Sequence, residues 1–180
     1  KISNISNIAR RVFANNSFDG ILTIMGILLG AYYAGIDSAM VIIKTGLGAS
    51  IAMGVSGAWG AYYTEKAERK KKIHELEKAI LKDMKSTKIE RAENFAVKII
   101  TVTDGLSPFI SSLIVITPFF FVNGNLFSAY VISMIIAFIL LGFLGAFLGK
   151  ISKDNIIKSV SRMLVAGVVC IILTLILQVL

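Results

Sequence analysis

Five apolar blocks, each long enough to cross a bilayer, restrict what this chain can become: Val12–Gly35, Ala39–Tyr63, Phe95–Asn123, Leu126–Leu148 and Ile156–Leu180. A hydrocarbon core about 30 Å thick is crossed by about 20 apolar residues in a helix. Helices satisfy their own backbone hydrogen bonds in lipid, whereas an open sheet does not. The expected fold is therefore an all-α integral membrane protein with five transmembrane helices. A hydrophobic content of 56% against 17% charged residues agrees with that class. The net charge of +8 would suit a nucleic-acid binder. Here, however, the basic residues gather beside and between the apolar blocks, where membrane topology alone places them, so no nucleic-acid partner is expected. The single cysteine, Cys170, lies in the run G-V-V-C-I-I-L, permits no intrachain disulfide and reads as a small packing residue. The sequence opens on Lys1, which suggests trimming, and no cleavable secretory signal is expected.

Between the second and third blocks the composition reverses. Thr64–Asn94 is highly charged, with Ile73, Leu76, Ile80 and Met84 forming one apolar stripe at helical spacing. This predicts a short cytoplasmic helical arm, continuous with the second span and turning near Ser86-Thr87 into a second short helix. The organisation that follows is 1–63 for the tail and spans one and two, 64–94 for the arm, and 95–180 for spans three to five. Basic residues mark the N-terminus at Arg10-Arg11, the arm, and the last loop at Lys150, Lys153 and Lys158. The turns at Asp37 and Asn123-Gly124-Asn125 hold no Lys or Arg, so the N-terminus is expected in the cytoplasm and the C-terminus outside. Pro108 and Pro118 are expected to break or kink span three and to free backbone carbonyls. The small residues of span two, with the pairs Gly26-x-x-x-Gly30 and Gly145-x-x-x-Gly149, predict close helix approach and favour a homodimer.

The chemistry centres on carboxylates where lipid should be. Asp19 lies inside span one and Asp104 inside span three, and ionisable residues at such depth mark ion paths by default. Asn15 and Asn16 precede Asp19 by four and three positions, within reach of its face or of a shared cation. Phe18–Thr23 (F-D-G-I-L-T) echoes Thr103–Pro108 (T-D-G-L-S-P), as repeated halves of a transporter sometimes do. Met53 and Ser56 are the candidate donors in the small-residue wall of span two. On the arm, Glu65 with Glu68 and His74 with Glu77 stand three apart on one helix face. Either pair suits weak metal binding or an ordinary surface ion pair. An empty, charged carboxylate in the membrane is costly, so it holds either a proton or a metal ion. The spans contain no nucleophile and base together, and no Gly-rich phosphate loop, so no enzyme is expected.

Several stretches together resemble the vacuolar iron transporter family. They are the Asp-Gly opening of span one, S-G-A-W-G-A-Y-Y-T-E-K-A-E at the end of span two, the charged arm, S-S-L-I-V-I-T-P in span three and R-M-L-V-A-G in span five. The likeness implies a homodimer with the ion path between subunits. It also implies export of Fe²⁺, and possibly Mn²⁺, from the cytosol in exchange for H⁺, with the metal as transported substrate and no permanently bound cofactor. Asp19 matches the family's pathway Asp, and Glu65 and Glu68 match the glutamates that begin its cytoplasmic metal-binding helices. The family's pathway methionine falls near Gly57, with Met53 one turn away, and its mid-span glutamate falls at Gly48 or Ala49. The partners expected are a divalent metal ion, the lipid bilayer and a second copy. The membrane would be the cell membrane in a prokaryote and a vacuole-type membrane otherwise. The alternative function is a membrane-anchored binding or regulatory module acting through Arg69–Lys72 of the arm.

Overall fold

The computed structural model describes residues 2–81, 87–121 and 125–179, with side chains for those between 6 and 177. Met84, Ser86 and the Asn123-Gly124 pair of the outer turn lie outside the described residues. The described chain is helical: α1 (Ile2–Tyr33), α2 (Ala39–Ile80), α3 (Lys88–Ile116), a short α4 (Pro118–Phe121), α5 (Leu126–Ser152) and α6 (Ile156–Val179). Five helices, with α4 continuing α3, are long and apolar enough to cross a membrane. The protein is an all-α, multi-pass integral membrane protein.

Helices α1 and α2 run beyond the apolar blocks. Helix α1 takes in the polar N-terminal segment, and α2 continues through the arm without a break. Helix α2 closes at Leu81, whose left-handed backbone (φ 52°) lets its N–H reach the Glu77 carbonyl. The second short arm helix foreseen from the sequence does not stand alone. Its residues form the first turns of α3, capped where Thr87 Oγ1 accepts from the Glu90 N–H at 3.3 Å. The arm is thus the paired extensions of α2 and α3. Of the two prolines expected to break span three, Pro108 sits within an unbroken α3. The interruption comes at Thr117, just before Pro118, where the Thr117 N–H is shared by the carbonyls of Leu113 and Ile114.

The core joins Ile21, Ile24, Met25 and Leu28 of α1 to Ile42 and Ile43 of α2, Val115 and Ile116 of α3, and Ala137, Leu141 and Leu144 of α5. In lipid such a core is held by close packing rather than by expulsion of water, so small residues at crossing points matter most. A Cβ on Gly145 would lie 2.6 Å from the Val160 Cα, and one on Gly149 would lie 3.0 Å from the Ile156 Cα. That pair therefore seats α6 on α5. Around Gly26 and Gly30 no described atom of the chain lies within 4 Å of a Cβ, so that pair seats no helix of its own chain and its face stays open. Cys170, half-buried on α6, donates from Sγ to the Leu22 carbonyl at 3.7 Å.

Aromatic rings mark the two ends of the bundle. Tyr32, Tyr33, Phe127 and Tyr130 cluster at one end and Trp59, Tyr62 and Tyr63 at the other, as side chains at membrane surfaces do. Replacing Gly145 by Val should lower stability by about 1–3 kcal/mol through overpacking against the α6 backbone, whereas Gly26→Ala should leave the thermal midpoint of the purified protein unchanged.

Candidate functional site

Two Asp-Gly pairs build the site, and in each the glycine explains where the aspartate goes. A Cβ on Gly20 would lie 2.5 Å from Ser111 Oγ and 2.6 Å from the Pro108 carbonyl oxygen, so α1 and α3 touch backbone to backbone there. Ser112 Oγ completes that contact by donating to the Gly20 carbonyl at 3.2 Å. Gly105 does the same for α2: its Cβ would lie 2.8 Å from the Ala58 Cβ and 2.9 Å from the Gly54 carbonyl oxygen. The echo read in the sequence is therefore two helix crossings, each with an acid beside it.

Asp104 is half-buried between these crossings. A Cβ on Gly57 would stand 2.7 Å from Asp104 Oδ1 and 3.0 Å from the Asp104 carbonyl oxygen, so this acid occupies the space that a side chain at position 57 would fill. The Asn16 side chain and the carboxylates of Asp19 and Glu65 are near enough to act on the charge of Asp104. Asn16 also donates from Nδ2 to the Val12 carbonyl at 2.9 Å, which fixes its orientation. Pro108, four residues after Asp104, has no N–H to give to the Asp104 carbonyl. Asp104 thereby presents a carboxylate and a released backbone oxygen in one place, both hard donors suited to a divalent cation.

Asp19 is exposed on the surface of the single chain, in the middle of an apolar helix. The outer face of α2 is also exposed and small, with Gly48, Ala52, Ser56 and Gly60 at successive four-residue steps. Met53 is half-buried one turn from Gly57 on the face turned to Asp104. Gly57 lies about 8 Å along α2 from the Tyr62–Tyr63 level, which puts Asp104 within the apolar span and Glu65 just beyond the aromatic level.

The arm treats its acids differently. Arg69, 8% exposed, pairs with Glu93, 5% exposed, and with Glu65 Oε2 at 3.0 Å, while Lys72 Nζ lies 3.0 Å from Glu93 Oε1. Sequence reasoning named Glu65 but missed Arg69 and Glu93 as its setting. They stand 24 residues apart and meet only because α2 and α3 fold back on each other. Glu68 is exposed, and His74 Nδ1 lies 3.9 Å from Glu77 Oε2 farther along the arm. Among the described residues no lysine or arginine is paired with Asp19 or Asp104. Nor do three His, Cys, Asp or Glu side chains among them group closely enough to hold a metal ion.

A model of the VIT family matches residues 98–178, from within α3 to the end of α6, a stretch that includes Asp104. An uncharacterized protein of Methanocaldococcus jannaschii is 37% identical over 162 residues, which cover 87% of this chain and 81% of that protein. The chain belongs to the VIT family. Membership points to a transporter of metal ions.

Gly57→Met should push Asp104 aside and lower stability by about 1–3 kcal/mol. Asp104→Ala in that background should restore part of the loss in a thermal melt; a Gly57→Met protein as stable as the parent would show that α2 and α3 do not meet there.

Proposed function

We propose that the chain exports a divalent transition metal, Fe²⁺ and by the same chemistry Mn²⁺, from the cytosol in exchange for protons, working as a homodimer. One observation carries this reading: two membrane-level carboxylates, Asp19 and Asp104, lie near one another with no basic partner among the described residues, while the arm carboxylates Glu65 and Glu93 are neutralised by Arg69 and Lys72. An ionised Asp at the centre of a membrane helix costs about 2.5–3.5 kcal/mol even on the mildest scales. A pair of like charges adds mutual repulsion. The dehydrated site is therefore occupied, either by protons or by a dication, and occupancy by one excludes the other. That exclusion is the simplest form of proton–metal exchange.

The ion path runs inward from Glu65 at the cytoplasmic mouth to Asp104, Asn16 and Asp19. Met53 and Ser56 line the α2 side, where a thioether favours iron over magnesium or calcium. With only two carboxylates, an amide and a released carbonyl on one chain, the remaining ligands come from water and from a second copy. The exposed Asp19 and the small-residue face of α2 leave room for that copy to cover the path. Glu68, His74 and Glu77 belong to weaker sites along the arm, where metal collects before entering. The N-terminus lies in the cytoplasm and the C-terminus outside, with the cell membrane as the setting in a prokaryote.

The alternative module acting through Arg69–Lys72 is not favoured, because Arg69 is buried and Lys72 is engaged by Glu93, leaving Lys70 and Lys71 as the exposed part of that run. In proteoliposomes under an imposed pH gradient, Fe²⁺ or Mn²⁺ uptake should be matched by opposite proton movement. Asp19→Asn should abolish both while leaving the protein folded; equal flux from parent and variant would sink the proposal.

A further inference from the structure

Away from the ion path, the basic end of the bundle holds a cavity of about 610 Å³ between the N-terminal part of α1 and the α5–α6 hairpin. Its lining divides by chemistry: Ile8, Leu148 and Met163 are apolar, Arg11 and Arg162 are cationic, and Asp154 is a single carboxylate at the exposed rim, leaving a net positive lining. Arg162 is 63% exposed and lies 3.6 Å from Asp154, and Arg11 is exposed with no acid paired to it among the described residues. Arg10, Lys150, Lys153 and Lys158, all exposed, surround this end of the bundle. Arg11 stands eight residues before Asp19, about 12 Å along α1, which places the cavity at the membrane surface.

We propose that this cavity binds the headgroup of an anionic phospholipid, with the phosphate held between Arg11 and Arg162 and the glycerol and upper acyl chains against Ile8, Leu148 and Met163. Arginine suits a phosphate because its planar fork donates two hydrogen bonds at once. A free phosphate would gain nothing from the apolar half of the lining, whereas an amphiphile satisfies both halves. Basic pockets between membrane helices at this level are a recognised setting for anionic lipid. The bound phosphate bridges α1 to α6 and so steadies the end of the helix that carries Asn16 and Asp19. This assignment does not depend on which ion the path carries.

Native mass spectrometry of the delipidated protein, titrated separately with phosphatidylglycerol and phosphatidylcholine, tests it. Phosphatidylglycerol should bind at least about tenfold more tightly, and Arg11→Gln with Arg162→Gln should weaken it by about thirtyfold, as expected for the loss of two surface cations. Arg11→Lys with Arg162→Lys should recover most of the affinity, and Lys70→Gln with Lys71→Gln on the arm should leave it unchanged. The comparison of the two lipids on the parent protein stands even if a variant folds poorly. Equal binding of the two lipids, or undiminished phosphatidylglycerol binding to a folded double Gln variant, would overturn the proposal. Displacement by inorganic phosphate at constant ionic strength would reassign the cavity to a free anion and overturn it too.

Discussion

Helix α3 lies in backbone contact with both α1 and α2, and the rest of the site depends on that closeness. Gly20 admits α3 at Pro108 and Ser111, while Gly54 and Gly57 of α2 and Gly105 of α3 let those two helices meet at the level of Asp104. Lipid gives helices no hydrophobic reason to associate, so contacts of this kind supply the packing energy that holds them. The same glycines remove side chains from the space beside each aspartate. Helix packing and the candidate site thus rest on one set of residues.

Charge divides the molecule at the membrane surface. In the arm, Arg69 and Lys72 neutralise Glu65 and Glu93, with Arg69 and Glu93 both withdrawn from solvent. Removing one member of such a buried pair leaves an uncompensated charge and costs several kcal/mol, so the pairing locks the extensions of α2 and α3 together. In the membrane helices, Asp19 and Asp104 have no lysine or arginine paired with them among the described residues. Glu65 joins the two regimes, because its carboxylate is shared between Arg69 and the field around Asp104.

Much of this was legible in the sequence because it is written in long-period signals. The apolar blocks set the number of helices, and the positions of Asp19 and Asp104 within them marked the candidate site. What the sequence could not display was rotation. A helix that is apolar all round does not reveal which face meets a neighbour, so Asp19 gave no sign of its exposed position, and Gly26 and Gly30 gave no sign that they meet no other helix of their own chain. Long-range pairs were hidden for a related reason. Glu93 reads as one acid in a basic stretch until α3 folds beside α2, and Gly57 reads as a lost methionine until Asp104 is seen filling its place. The released carbonyl of Asp104 was the exception, since a proline four residues on announces it in any helix.

The proposed transport depends on Asp19 and Asp104 acting as one binding unit for a divalent ion. The most direct test is a double-mutant cycle of Mn²⁺ affinity, read from the electron paramagnetic resonance signal of the free ion, across the parent, Asp19→Asn, Asp104→Asn and the double variant. Shared ligation predicts that each single change weakens binding and that the double change costs much less than their sum. Additive losses, or an Asp104→Asn protein that binds Mn²⁺ as the parent does, would contradict it.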